Sequence, residues 1–269
     1  MVVLRRALYL ITVPGRILNF LSRIIFDTYG YGMTACIRFG GGVPLKGDEI
    51  FPNKIKDGQP VFDIDDPASR WHAYAELRKS LLLEFIHEYN LDALVIFGCS
   101  YGRELYPVAK QLLSDRPAVK VVGADLSEKA ISACKAYGLP NAEFIVMDME
   151  NEHHVSRLME TSCVSARRVG VYMSETAAYL LPCKLRQFMS AIGSNKRIVG
   201  FQLIEPAYID WKSAWQSGMI FSFQNGFWRH NYPRMIGRIF KIDRIYFLDA
   251  KLRSDVHVDQ PLWFIRAGR

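Results

Sequence analysis

The chain has 269 residues, of which 50% are hydrophobic and 23% are charged, which excludes a wholly disordered or collagen-like protein. Its five widely spaced cysteines include no C-x-x-C pair, which argues against a secreted disulfide framework and a cysteine-rich zinc module, so we expect a cytoplasmic protein with reduced thiols. The net charge of +7 resides at the two ends: residues 1–40 carry five arginines against one acid, and residues 205–269 carry ten basic residues against six acids. Basic residues at these ends could bind nucleic acid, anionic lipid or an acidic substrate. The alternative is that they form an ordinary basic surface.

The first 66 residues form a separate N-terminal extension in our interpretation. The apolar run 7–13 is broken by Pro14 and Gly15 and is too short to span a membrane, and we find no signal-peptide cleavage pattern. Apolar residues at helical spacing then predict one amphipathic helix: Ile17, Leu18, Leu21, Ile24 and Ile25. Three roles are open for this helix. It packs on the domain, it is a lid over a substrate pocket with Tyr29 and Tyr31 near the ligand, or it makes a peripheral membrane contact.

Residues 40–66 are rich in Gly, Pro, Lys and Asp and predict irregular structure, and a helix follows over 68–89. From residue 91 onward, buried strands alternate with helices. The predicted strands are 93–97, 119–124, 142–147, 169–173 and 197–204, and the predicted helices are 103–114, 127–137 (capped by Ser127) and 182–192. Strands 241–248 and 261–267 follow without an intervening helix and predict an antiparallel hairpin. The fold class is therefore α/β, a doubly wound, mostly parallel seven-stranded, Rossmann-like sheet in a domain over 67–269.

Ligands of such sheets bind beyond the carboxyl ends of the strands. Gly98 and Gly102 follow the first strand of this pattern, Asp125 ends the second and Asp148 follows the third. A dinucleotide site would require G-x-G-x-x-G, but serine and arginine occupy its second and third glycine positions, and no P-loop motif is present. The alternative is that these glycines and acids only form turns.

At these positions the chain resembles the class I S-adenosylmethionine (SAM)-dependent methyltransferases. The matching segments are VIFGCSYGRE (95–104), GADLS (123–127) and FIVMD (144–148). The resemblance implies SAM as cofactor and S-adenosylhomocysteine (SAH) as product. It places the methionine part of the cofactor against Gly98, Cys99, Ser100 and Gly102, the ribose at Asp125 and Leu126, and the adenine at Asp148 and Met149. The family's acidic residue two positions before the first glycine is Ile96 here, and Glu104 is its candidate substitute.

The methyl acceptor is expected to meet an aromatic insert over 205–240. Its candidate pocket residues are Phe227, Trp228, Asn231 and Tyr232, with the alternative that individual aromatic residues belong to the core. His230 is the candidate general base, because an unperturbed imidazole titrates near neutrality. Glu175, which follows the fourth strand, either orients the acceptor or caps the next segment. We expect no metal, because no His, Cys, Asp or Glu grouping has ligand spacing.

Three functions remain open at this point. The first is SAM-dependent methyl transfer to oxygen or nitrogen of a small, partly apolar metabolite. The second is an RNA or protein methyltransferase that uses the basic ends; nucleic acid is the less favoured partner. The third is a cofactor-binding protein without transfer activity, which the residues at positions 96 and 100 suggest. The sequence does not give the oligomeric state.

Overall fold

A computed structural model describes residues 54–56, 59–61, 70–180, 182–206, 221–224, 227–248 and 262–269. The predicted N-terminal helix, Tyr29 and Tyr31 therefore lie outside the described residues. One expectation within 40–66 is wrong, because β1 (Lys54–Lys56) and β2 (Gln59–Val61) form an antiparallel hairpin rather than irregular structure. The sequence Asp57-Gly58 between them is a strong signal for a two-residue hairpin turn.

The main sheet has seven strands, with helices between them along the chain. The strands are β3 (Ala93–Phe97), β4 (Lys120–Asp125), β5 (Ala142–Val146), β6 (Val169–Ser174), β7 (Ile198–Pro206), β10 (Lys241–Leu248) and β11 (Leu262–Gly268). The helices are α1 (Arg70–Glu88), α2 (Leu105–Asp115), α3 (Glu128–Lys135), α4 (Glu152–Thr161), α5 (Pro182–Ser194) and α6 (Tyr232–Ile236), with a 3₁₀ turn at Ala177–Tyr179. A short hairpin of β8 (Phe221–Gln224) and β9 (Phe227–His230) precedes α6.

The strand order is β10-β11-β7-β6-β3-β4-β5. Five adjacent strands are parallel: β5, β4, β3, β6 and β7. Strand β11 runs antiparallel to both β7 and β10. The predicted fold class is confirmed, including the antiparallel hairpin after residue 240. The order reverses between β3 and β6, so the residues that follow these two strands stand at the topological switch point where such sheets bind ligands.

Helix α4 was not predicted. Asn151 caps it by accepting a hydrogen bond from the backbone N–H of His153 (3.1 Å), and the helix buries Val155, Leu158 and Met159. These three residues have the i, i+3, i+4 spacing of a helix face, which was the available signal. His153 and His154 are exposed on it.

Helix α1 covers one face of the sheet and is fixed at its C-terminal end. Phe85 and Ile86 are fully buried there in the core. Arg266 of β11 is also fully buried, and its guanidinium donates to the Leu81 carbonyl (2.9 Å) and the Glu88 carboxylate (2.6 Å). This attachment sets the position of the N-terminal half of α1 over the switch point. None of the helices in the described parts of the chain is long and apolar enough to cross a membrane.

Candidate cofactor and acceptor site

The loop after β3 is held in a tight, left-handed conformation. Gly98, Ser100 and Gly102 have φ values of 71°, 47° and 76°. The backbone N–H groups of Gly98 and Cys99 both donate to the Ala124 carbonyl of β4, at 2.8 and 3.2 Å. The loop is therefore anchored to the neighbouring strand, and its backbone is the surface that a ligand at the switch point would meet.

Gly98 is required for a second reason, which is the close approach of Thr176. A β-carbon at position 98 would lie 2.1 Å from Thr176 Oγ1. Thr176 follows β6, and its hydroxyl donates to the Ser174 carbonyl (2.8 Å). The segments that follow β3 and β6 are thus packed together at the switch point.

We expect Gly98→Ala to lower the free energy of unfolding by about 2–3 kcal/mol, because it combines left-handed strain of about 1–2 kcal/mol with a steric clash against Thr176. Gly138→Ala is the matched control, since Gly138 has a φ of 63° and no atom within 4 Å of an added β-carbon. It should show the strain alone. Denaturant unfolding measures both, and equal losses in the two variants would contradict the proposed contact.

Asp125 joins the glycine loop to the start of α3. Its Oδ2 accepts from the backbone N–H of Ser100 (2.7 Å), and its Oδ1 accepts from that of Ser127 (2.9 Å). Each carboxylate oxygen can accept one further hydrogen bond, so this arrangement is compatible with ribose hydroxyls as additional donors. Leu126, the next residue, is 55% exposed. The role of Asp125 within the loop itself was not predicted.

The predicted adenine residues follow β5. Asp148 Oδ1 accepts from the backbone N–H of Glu150 (2.9 Å), which makes a turn before α4. Met149 is partly buried and packs on the core. Both residues therefore lie beyond the carboxyl end of β5, the strand next to β4, where the sequence placed them.

A cluster of four side chains, which we call the Arg78 cluster (Tyr74, Arg78, Glu104 and Glu175), lies above the switch point; Tyr74 and Arg78 are buried, and the two glutamates are partly exposed. The Arg78 guanidinium forms ion pairs with Glu104 and Glu175 and donates to the Tyr74 hydroxyl. It also lies over the Tyr74 ring, 3.9 Å from the centroid, and the Tyr74 hydroxyl donates to Glu175 (3.2 Å). The cluster joins α1, the glycine loop and the segment after β6.

The Arg78 cluster carries two carboxylates and one guanidinium. Burial alone would lower the pKa of Arg78, but the interactions with Tyr74 and Glu175 outweigh it and raise the pKa, so the guanidinium stays charged. Ile96, which occupies the family's acidic position, is buried in the core at 2% exposure. Glu104, the candidate substitute for that acid, is paired with Arg78. The sequence pattern of this helix did not identify Arg78 as a site residue.

The segment 175–180 is held from both sides. Glu175 has a φ of 49°. Glu205 of β7 is fully buried and accepts backbone N–H groups from Thr176 (2.7 Å), Ala177 (2.6 Å) and Ala178 (3.3 Å). At the other end, His230 Nε2 lies 3.2 Å from the Leu180 carbonyl, to which it donates.

The two titratable groups that flank this segment have perturbed pKa values. Burial raises the pKa of Glu205 to about 8, against the opposing backbone N–H groups of Ala177 and Thr176. Burial lowers the pKa of His230 to about 3, although the backbone carbonyls of Leu180 and Ala177 oppose this shift. The imidazole is therefore neutral at physiological pH.

The predicted acceptor residues are brought to the same region only in part. Tyr232 is buried, its ring lies 5.4 Å from that of His230, and burial together with the charge of Glu205 raises its pKa. Asn231 caps α6 by accepting from the Arg234 backbone N–H (3.1 Å). Phe227 and Trp228 lie on β9, paired with Gln224 and Phe223, and their side chains are outside the described part of the structure. Among the described residues, no group of three or more metal-ligating side chains is present.

Comparisons with known proteins give structural similarity only. No protein-family model matches the chain, and no curated protein matches it. Among solved structures, it is similar to the magnesium protoporphyrin IX methyltransferase of Synechocystis PCC 6803 with bound SAH (TM-score 0.49, 15% identity, 93% of this chain and 99% of that chain). A SAM-dependent methyltransferase from Anabaena variabilis ATCC 29413 gives a TM-score of 0.48, 12% identity and 80% and 98% coverage. A small RNA methyltransferase gives a TM-score of 0.48, 15% identity and 72% and 25% coverage.

Proposed function

We propose that this chain, whose sheet has the class I methyltransferase topology, binds SAM at the switch point and transfers its methyl group to a small acceptor. The observation that carries the proposal is the carboxylate of Asp125, which holds the glycine loop through Ser100 while each of its oxygens can still accept a ribose hydroxyl. When bound, SAM supplies an activated sulfonium methyl group. The backbone of the loop after Gly98 would receive its methionine part, and Asp148 and Met149 would flank the adenine.

The Arg78 cluster supplies the groups for the charged ends of the methionine part. Arg78 is a donor for a carboxylate, and Glu104 is an acceptor for an ammonium group, both at the edge of the glycine loop. This assignment gives Glu104 the role that the buried Ile96 cannot fill. On cofactor binding, Arg78 would exchange Glu104 for the cofactor carboxylate, and Glu104 would pair with the cofactor ammonium group, so that each of these charges keeps a partner.

The protein's task in methyl transfer is alignment of the acceptor and removal of its proton. Glu175, held by Tyr74 and Arg78 at the end of β6, is our candidate for orienting an acceptor hydroxyl or amine. His230 was predicted as the general base, but a pKa of about 3 leaves little driving force for accepting a proton. We therefore propose that His230 positions the segment 175–180 through the Leu180 carbonyl.

Asp125→Ala should weaken SAH binding at least tenfold, because the variant loses hydrogen bonds to a charged acceptor that are worth roughly 1.5–3 kcal/mol each. Isothermal titration calorimetry with SAH measures the change. Asp92→Ala is the matched control, since Asp92 also accepts two backbone N–H groups, from Arg167 and Arg168 (both 2.9 Å), but precedes β3 at the opposite edge of the sheet. Unchanged SAH affinity in Asp125→Ala would contradict the proposed role of Asp125 in cofactor binding.

The acceptor class can be tested with SAM that carries a labelled methyl group. Incubation of the protein with fractionated cell extract should place the label in low-molecular-mass products that are partly apolar. Label on RNA or on protein would overturn the proposal of a small acceptor.

A cofactor-binding protein without transfer activity is the second candidate. The burial of Ile96 in the core and the commitment of Glu104 to Arg78 favour it, because both departures affect the methionine end of the site. SAH binding without label transfer to any fraction would support this candidate over the first.

A further inference from the structure

Glu205 is a buried acid that the mechanism proposed above does not use. It is the penultimate residue of β7, where it pairs with Trp263 of β11. Its side chain points to the segment after β6. A single carboxyl group there accepts three consecutive backbone N–H groups. These are the unpaired donors at the start of the 3₁₀ turn at Ala177–Tyr179.

The anchored segment carries two residues of the candidate site. Thr176, whose N–H donates to Glu205, also packs its side chain against Gly98 of the cofactor loop. Glu175, immediately before it, takes a strained left-handed backbone conformation while its side chain joins the Arg78 cluster. Such a conformation persists only where the surroundings hold it. Glu205 supplies the side-chain acceptors for the three backbone N–H groups that directly follow this strained residue.

We propose that Glu205 is a positioning residue for the proposed transferase: by accepting the N–H groups of residues 176–178, it holds Glu175 and Thr176 against the cofactor loop. It does not contact the reacting atoms itself, because it is completely buried beneath the segment. The functional consequence of this anchoring, the alignment of cofactor and acceptor, rests on the proposed function. The anchoring itself depends only on the described contacts.

Glu205→Gln and Glu205→Ala separate the anchor from the charge. Glutamine is isosteric and keeps the oxygen that accepts from Thr176 and Ala177, whereas alanine removes every acceptor. Asn141→Ala is the control for general destabilisation, since Asn141 is a buried polar residue whose amide donates to the Ala109 carbonyl (2.9 Å) away from this segment.

Amide hydrogen exchange and SAH calorimetry are the two measurements. We expect Glu205→Ala to speed exchange of the N–H groups of residues 176–178 at least a hundredfold and to weaken SAH binding about tenfold. Glu205→Gln should keep both values within about threefold of the wild type, and Asn141→Ala should leave SAH affinity unchanged. If the alanine variant does not fold, Glu205→Asp replaces it, because the shortened side chain withdraws the same carboxyl group from the three donors.

Two outcomes would overturn the proposal. One is exchange at residues 176–178 that rises no more in Glu205→Ala than in Asn141→Ala. The other is faster exchange in Glu205→Ala with unchanged SAH affinity, which would make the contact merely structural. A wild-type protein that binds no SAH would instead contradict the proposed function, and the exchange measurement decides the anchoring in that case too.

Discussion

Arg78→Met should lower the free energy of unfolding by about 3–5 kcal/mol, because the buried guanidinium gives up charge-assisted hydrogen bonds to two partly exposed carboxylates, each worth roughly 1.5–3 kcal/mol. The guanidinium is nearly buried, and its loss removes the cation that pairs with both Glu104 and Glu175. Methionine has a similar length and keeps the apolar contact with Tyr74, so the loss reports the charge rather than the volume. Chemical denaturation at neutral pH measures the difference.

Two further variants test this explanation. Arg244 of β10 also pairs with two carboxylates, Glu84 and Glu88, but its side chain is 45% exposed. Arg244→Met should therefore lower the stability far less than Arg78→Met does, because solvent screens exposed ion pairs. Adding Glu104→Gln and Glu175→Gln to Arg78→Met should restore part of the lost stability, because the two carboxylate charges that Arg78 balanced are removed. A triple variant that is less stable than Arg78→Met would refute the electrostatic explanation.

The stability of the protein should fall as pH rises from 5 to 8.5, by an amount on the order of 4 kcal/mol from Glu205 alone. Burial raises the pKa of Glu205 from 4.5 to about 8 in the folded protein. Between these values the folded protein binds a proton that the unfolded chain has released, so folding becomes less favourable as pH rises and levels off above pH 8. The titratable groups that face Glu205 are Glu175 and Tyr232, and Tyr232 stays neutral over this range because its own pKa is raised.

The contribution of Glu205 is isolated by comparing the wild type with Glu205→Gln at each pH. As pH rises, the unfolding free energy of Glu205→Gln should increase relative to that of the wild type. Glu143→Gln is the control, because bonds to Lys120 and Ser162 outweigh burial and lower the pKa of Glu143. Its stabilising effect is lost only as pH falls through its folded pKa, so this difference should stay constant between pH 6 and 8.5. A constant difference for Glu205→Gln as well would contradict the raised pKa.

The sheet could be predicted closely because its central strands are buried on both faces. All five residues of β3 are buried, so the strand is a continuous apolar run with clear ends. The cap of α3 was also readable: Ser127 accepts from the Ala130 backbone N–H (3.2 Å), as its position in the sequence indicated. These features depend on local patterns along the chain.

The candidate site was less predictable because its side chains come together from distant parts of the chain. Arg78 is separated by 26 residues from Glu104 and by 97 from Glu175, and no local spacing connects them. Glu205 follows an apolar strand, so it was taken as the start of the insert 205–240 rather than as a buried acceptor. His230 was chosen for the ordinary pKa of histidine, whereas its pKa is set by burial, which the sequence does not give.

Helix α1 is attached at two places to residues that lie later in the chain. Arg266 holds its C-terminal end and Arg78 its N-terminal half, although the alternating strands and helices begin only at β3. A fragment that starts at residue 90 would keep the whole seven-stranded sheet in sequence. It would nevertheless expose the sheet surface under Phe85 and Ile86, and Arg266 would lose the Leu81 carbonyl and the Glu88 carboxylate as acceptors. We therefore expect an independently folding fragment to include all of α1, and a recombinant fragment for binding studies should include residue 70.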